Sequence, residues 1–543
     1  MSEPTPSLVT PRDARVVGPR VTPRRSRDAV SVSAGIFFSR VTGLARDVAL
    51  AAFLGTGLLA DAYWAAIKIP NIIRNLLGEG TLSAAFVPVY SETLQNQGAS
   101  PSESTRLASS VLGIVLTTAV LLSSFGVLIA PWLTSVIMIG AGGESREITT
   151  ELVRILFPMS GVLIVGAWFL GVLNSHGRFF LPFVAPTVWN LAQIGGLFWA
   201  YAIGSDRFAH ALAWSALVGS ILQVGIQIPA ARRLTGSLRP TGDWAWEPVR
   251  RVVRNTIPVI SSQGIFQIST LVDISLATLV GTSAMSAVGY SQRLMYLPIS
   301  LFGIAVAAAS LPHMSREATA ARLRPRLVNG FFQILFFVLP AAVCFLLFGD
   351  LIIRVVYQRG AFSESSTAIV AAVLATYALG LVASSSLKLF SSGFHALQDT
   401  RTPMMLAAVS VSVGIGAAVF LTLGARARLP LPYRPYAAMG IALGGALGAW
   451  LNLLLLWRSL AKRLGGLFEQ AAVKATVRLA VAVAVAAIAA SASRGWLAPR
   501  IPGYGFLHDL ALLLAVGAAG AIPYLLIARR PPVILPEDPL SEG

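Results

Sequence analysis

The chain has 543 residues, 55% of them hydrophobic and 12% charged, with a formal net charge of +18. A charged fraction about half that of soluble domains excludes an ordinary water-soluble globule and indicates a chain whose solvent is largely lipid. The single cysteine excludes an intrachain disulfide or a cysteine metal cluster. The basic residues sit in short segments between apolar runs, so they read as topology signals and not as a nucleic-acid surface.

Residues 1–28 carry Arg12, Arg15, Arg20, Arg24, Arg25 and Arg27 among Pro, Ser and Thr, with no small-residue cleavage site before Arg40. They are predicted to form a disordered basic cytoplasmic tail and not a cleaved leader. Apolar segments of spanning length follow at about 30–53, 59–78, 107–132, 151–173, 182–204 and 209–230, a first lobe over 29–232. A cytoplasmic amphipathic linker is expected over 233–255, with Trp244, Trp246, Val249, Val252 and Val253 on its apolar face.

Further spans at about 256–280, 286–311, 327–349, 366–390, 403–424 and 437–457 give a second lobe over 256–460. Two more, at about 473–492 and 507–528, form a C-terminal helix pair within 461–530, before a tail at 531–543. Backbone in lipid must satisfy its own hydrogen bonds, so these runs are helices and not barrel strands. The expected fold is all-α, a polytopic membrane protein of about fourteen transmembrane helices in two six-helix lobes plus the pair. Roughly 24 basic residues fall on the side shared by both tails against roughly 9 on the other, which places both termini in the cytoplasm. Arg426, Arg428 and Arg434 depart from that bias.

Two stretches roughly 220 residues apart resemble each other: GVLNSHGRFFLPFVAPTVWN from Gly171 and GFHALQDTRTPMMLAAVSVSV from Gly393. Each closes one span, turns through a short basic segment, and opens the next near Pro182 or Pro403, as parallel repeats of a transporter would.

Charged groups at lipid depth carry the functional signal. Arg40, Arg46, Lys68, Arg74 and Arg293 lie within or beside spans, where a cation facing lipid costs roughly 2.5–3.5 kcal/mol. They are expected around a wet cavity that receives an anion, since a guanidinium stays charged when desolvated and grips phosphate with two parallel bonds. In the second span Asp61, Lys68, Asn71, Asn75 and Glu79 fall along one helical face, with Arg74 beside them. Ser39 shares a face with Arg46 in the first span. In the seventh, Gln263, Gln267, Thr270 and Asp273 make a polar stripe, so Asp273 is either an ion site or a structural hydrogen-bonding group. Walker, HExxH and nucleophile-elbow patterns are absent from the sequence, which argues against an ATP-driven pump or membrane hydrolase. The chain is read as a transporter and not an enzyme.

The run FFSRVTGLARDVALAAFLGTGLLADAYWAAIKIPNIIRNLLGEGTLSAAFVPVYSE, from Phe37 to Glu92, resembles the opening signature of the MurJ (MviN) family. These are bacterial lipid II flippases of the multidrug/oligosaccharidyl-lipid/polysaccharide exporter superfamily. The resemblance continues through YSQRLMYLPISLFGIAVAAASLPHMS from Tyr290 and through YQRGAFS and HALQDTRTP. It implies translocation of an undecaprenyl-pyrophosphate-linked disaccharide pentapeptide from the cytoplasmic to the outer leaflet of the inner membrane by alternating access. It implies substrate-binding roles for Arg40, Arg46, Asp61, Arg74 and Arg293, with Ser39, Lys68 and Glu79 in the same motifs. It also implies an apolar groove for the polyprenyl tail between the last two helices, where Leu479 to Ala490 is wholly apolar. Where relatives often have an acid, this chain has Tyr296. Some relatives hold sodium, for which Asp273 and Asp399 are the nearest candidates, although His395 stands where an amide is expected. No cofactor is implied; coupling to sodium or to the membrane potential is, and cell-wall synthesis proteins are the expected partners. Two rival readings stand beside this one, a flippase for another polyprenyl-linked glycan and a non-transporting scaffold for cell-wall synthesis.

Overall fold

The structure, a computed structural model, describes residues 23–95, 101–236, 239–316, 320–466, 470–501 and 505–529. Most of the N-terminal tail and the whole of the segment 531–543 therefore lie outside the described residues. The described regular elements are all helical.

The first lobe opens with α1 (Pro23–Leu54) and α2 (Leu58–Leu77), which α3 (Glu79–Gln95) continues after a break at Gly78. Next come α4 (Pro101–Ile137), α5 (Gly143–Ser175), α6 (Phe180–Ala202), α7 (Phe208–Gly225) and the short α8 (Ile228–Thr235). α9 (Glu247–Val280) leads into the second lobe, where α10 (Ala284–Pro298) passes through a π-helical turn at Ile299–Ile304 into α11 (Ala305–Arg316). α12 (Ala320–Tyr357) follows, then α13 (Glu364–Ala378) and α14 (Leu381–Ala396), bent by 42°. α15 (Arg401–Arg428) and α16 (Met439–Leu464) complete that lobe, and α17 (Gln470–Leu497) pairs with α18 (Phe506–Ala528).

Among the described residues nine helices are long and apolar enough to cross a membrane, or ten if α13 and α14 form one broken span. The remaining expected spans are α1, α2, α6 and α9, and each is interrupted by charged or amide side chains such as Arg46, Lys68, Asn190 and Asp273. Polar side chains within a spanning helix lower its mean hydropathy, and they turn toward the protein interior and not toward lipid.

α1 packs on α6, α4 on α5 and α2 on α5, while α15 packs on α16 and α12 on α13. α9 touches both groups, lying on α2, α3 and α4 and also on α10 and α15. The amphipathic linker expected before it is not a separate helix. Val249 and Val252 belong to the first turns of α9 and are buried in the apolar cluster of α3, α4 and α5. Two ion pairs, Arg106 with Asp243 and Arg251 with Glu92, fasten this region.

The two similar stretches form the same turn. After α5, the amides of His176, Gly177 and Arg178 donate to the carbonyls of Val172, Asn174 and Leu173. After α14, the amides of Leu397, Gln398 and Asp399 donate to Gly393, His395 and Phe394 in the same pattern. Both need a left-handed residue, supplied by Gly177 at φ 70° and by Gln398 at φ 59°.

Candidate functional site

A cavity of about 780 Å³ lies between the lobes, and among the described residues its lining carries Arg40, Arg46, Arg74 and Arg293 against one acid, Asp47. Ser39 lines it too, with the amides of Asn75, Asn190, Gln223, Gln263 and Gln267. Helical periodicity brings Ser39, Arg40, Gly43, Arg46 and Asp47 to one side of α1. A Cβ on Gly43 would stand 3.5 Å from the Asn190 amide, an ordinary contact.

Arg46 is 5% exposed, as is Asp47. A buried guanidinium is tolerated only when its donors are used, and here they are. Nε and Nη2 donate to Asp47 Oδ1 at 3.1 and 2.7 Å, and Nη1 donates to Asn190 Oδ1 at 3.1 Å. The cation also lies over the Trp189 ring, 5.1 Å from its centroid. Asn190 uses its other end to donate to the Ser39 carbonyl at 3.2 Å and the Thr42 hydroxyl at 3.1 Å. From the second lobe, Arg293 brings Nε within 3.8 Å of Asp47 Oδ2 and sits over Trp64 at 5.5 Å. Its side chain is 41% exposed, so it meets the water of the cavity.

The polar stripe of α2 divides between tasks. Arg74 and Asn75 reach the cavity. Lys68 instead donates to Gln292 Oε1 at 3.0 Å, and Gln292 donates onward to the Tyr377 hydroxyl at 2.9 Å. Asp61 does not line the cavity. It is 8% exposed and caps α10 from across the lobe boundary, accepting from the amides of Ser283 at 2.6 Å and Ser286 at 2.7 Å. A carboxylate there satisfies orphan amides and meets the positive end of the helix dipole. Glu79 opens α3, and its side chain lies outside the described residues.

The Asp61 cap belongs to a seal that sequence reasoning missed. Ala361 N donates to Ala52 O at 2.7 Å, Tyr290 donates to the Gly55 carbonyl at 2.9 Å, and Thr56 shares a 2.7 Å hydrogen bond with Ser366. Gly55 and Gly360 both have positive φ, 58° and 59°. A Cβ on Gly55 would strike Ala361 O and one on Gly360 would strike Ala52 O. The cavity is lined by α1 from Ile36 to Asp47, and the seal lies beyond it at Ala52 to Thr56, so the lobes are closed together at the end where α1 finishes.

The two sodium candidates stand in different surroundings. Asp273 of α9 interacts electrostatically with Lys68. Asp399, in the turn before α15, accepts from the Thr402 hydroxyl at 2.6 Å and its amide at 3.0 Å, and pairs with Arg463 at 2.7 Å. The Thr402 bonds above all, with Arg463, hold its carboxyl well below the usual range, at about 2. Its oxygens already serve a helix start and a guanidinium. Among the described residues no three His, Cys, Asp or Glu side chains gather as a metal site would require.

A second cavity, about 280 Å³, lies between α12, α17 and α18. Val343, Cys344, Phe348, Val483 and Val516 are among its almost wholly apolar walls. Part of the Leu479 to Ala490 run lines it, as the tail groove inferred from the resemblance would need.

A sequence model of the lipid II flippase MurJ family matches residues 50–513. The probable lipid II flippase MurJ of Rhizobium tropici is 31% identical over 460 residues, covering 83% of this chain and 84% of that protein. The lipid II flippase MurJ of Burkholderia cenocepacia is 30% identical, over 80% of this chain and 84% of its own. Among solved structures, a lipid II flippase MurJ in an inward closed conformation superposes with a TM-score of 0.73 at 24% identity, covering 92% of this chain and 99% of that one. An inward-facing multidrug transporter of the MATE family has a TM-score of 0.63 at 15% identity, over 80% of this chain and 98% of its own. These two likenesses are of fold.

Proposed function

The chain belongs to the MurJ family of lipid II flippases, and from that premise we propose how its central cavity moves a diphosphate-linked lipid across the inner membrane. It is a multi-pass membrane transporter whose cargo is lipid II, and it performs no bond chemistry of its own. The observation that carries the proposal is the lining of the central cavity, among the described residues four arginines against one aspartate.

Arg40, exposed and nearest the open half of α1, receives the diphosphate first. Arg46 and Arg293, from opposite lobes, then take it in place of Asp47, with Arg74 on the α2 side and the Ser39 and Gln267 side chains beside it for sugar and peptide groups. The Arg46 and Arg293 guanidinium groups are already oriented by Asp47, Asn190 and two tryptophan rings, so these two lose little conformational freedom on binding. The polyprenyl tail stays in hydrocarbon and follows the apolar cavity of α12, α17 and α18. With both termini in the cytoplasm, the seal at Gly55 and Gly360 closes the outer end, and the structure represents the state that loads from inside. Breaking a few hydrogen bonds and one helix cap reverses access, a change suited to rocking lobes.

Coupling belongs to the same proposal. Because Asp399 is engaged by Thr402 and Arg463, we infer that the membrane potential resets the arginine-rich chamber, each charge moved across 100 mV being worth about 2.3 kcal/mol. Cell-wall synthesis enzymes that use the delivered precursor are the proposed partners.

The test is binding of purified protein to lipid II, to other polyprenyl-diphosphate glycans and to undecaprenyl monophosphate. Preference for lipid II over the glycans supports the assignment. Equal affinity for every ligand, monophosphate included, would remove it.

A further inference from the structure

We infer that Asp350 and Arg494 are positioning residues for the cargo's tail, a clasp that sets the shape of the apolar cavity; this rests on the flippase reading above.

The geometry begins with an interruption in α12. Phe348 has φ −125° and ψ 19°, so the helix kinks there, and the Phe348 ring is 5% exposed as one wall of the cavity. A kink needs a cause, and α12 has no proline within a turn of this point; its internal prolines are Pro325 and Pro340. Arg494, in the last turn of α17, supplies one. Its guanidinium reaches the Leu347 carbonyl before the kink at 3.5 Å, lies 6.0 Å from the Phe348 ring at the kink, and grips Asp350 after it. That grip is a two-pronged fork, Nη1 to Oδ1 at 2.9 Å and Nη2 to Oδ2 at 2.5 Å. One cation thus staples both sides of the bend.

The third helix joins through Arg354, which stands 3.7 Å from Asp350 and 3.7 Å from Asp509 in the first turn of α18. Two acids and two arginines on three helices form a neutral group at the end of the bundle where α17 ends and α18 begins. Beneath it Phe348, Leu351, Ala490, Leu512 and Val516 close into one small apolar cluster. The clasp fixes the separation of α12 and α17, and with it the width of the slot a prenyl chain must enter. At about 280 Å³ the cavity is small beside a polyprenyl chain, so it grips a stretch of tail and not the whole.

The test separates tail from headgroup by measuring affinity for undecaprenyl diphosphate and for inorganic pyrophosphate with the same protein. The wild-type chain binds the long tail more tightly. In Asp350→Asn and Arg494→Gln that advantage falls by about tenfold while inorganic pyrophosphate affinity is unchanged, and Arg494→Lys, which keeps the cation without the fork, loses less of it. A nitroxide on Cys344, the single cysteine and a residue of the cavity wall, is held still in the wild type and freed in Asp350→Asn and Arg494→Gln. An unchanged ratio in these two variants, or a label equally still in them, overturns the clasp. Failure of the wild type to bind either diphosphate would instead strike the flippase reading.

Discussion

Asp47 holds Arg46 through one carboxylate oxygen at 2.7 Å and faces Arg293 with the other at 3.8 Å, so a single acid serves arginines from opposite lobes. The carboxylate stands where an anionic cargo would stand. On the proposed reading binding is an exchange of anions, which favours release as well as capture. In Asp47→Asn a diphosphate should bind about tenfold more tightly at low salt, while translocation slows because release is impaired. The empty variant should also melt earlier, since removing one partner of a buried pair costs ~3 kcal/mol, and inorganic pyrophosphate should restore the lost stability. Calorimetric titration and thermal unfolding measure both effects; weaker diphosphate binding in the variant would refute the exchange.

Arg40 and Arg293 line the cavity with exposed side chains, whereas Arg46 lines it from a buried position. Arg40→Ala and Arg293→Ala should each lower lipid II translocation about tenfold or more, with membrane insertion unchanged. Reconstituted vesicles scored for outward lipid II and circular dichroism of the same samples supply the check.

The seal should respond to a single atom. Gly360→Ala drives a methyl into the Ala52 carbonyl, and Asp61→Ala uncaps α10 at a cost of ~1–2 kcal/mol. Either change should shift the lobes toward the open-outside state by about fivefold or more. Spin labels at Leu59→Cys and Ser365→Cys, in a Cys344→Ser background, should show a longer distance in both variants; an unchanged distribution would mean that the seal is not held by these groups.

Asp399 offers a pH test outside the spans. Its carboxyl is depressed to about 2 by the Thr402 bonds and by Arg463, so it stabilises the fold fully above the usual carboxylate range and loses that contribution as pH falls through about 2. Asp399→Asn should therefore melt below the wild type at pH 7, with the gap closing between pH 4 and pH 2. A gap independent of pH would contradict the charge pairing of this turn.

The sequence already placed the arginines, because a cation at lipid depth is too costly to be incidental, and helical spacing alone brought Ser39 and Arg46 to one face. The repeated turns after α5 and α14 were legible from Gly171 and Gly393 for a similar reason, since a span that ends in a left-handed residue leaves a local signature. What escaped were relations between distant segments. Asp61 reads as one more member of the α2 stripe until the α10 amides, more than two hundred residues away, are set against it. Asn190 sits within an apolar run, where an amide at lipid depth was the available signal, yet only the fold brings it to Arg46. Of the linker's apolar residues Val249 and Val252 bury against α3, α4 and α5 while Trp244 and Val253 stay exposed, a division that only the fold reveals.

The most direct measurement replaces the resident flippase of a depletable bacterium with this chain and scores lipid II at the outer leaflet. The wild-type chain should restore it, and the double variant Arg46→Gln with Arg293→Gln, present in the membrane at equal abundance, should not. Outer-leaflet lipid II at wild-type levels in the double variant would contradict a diphosphate held by these two arginines.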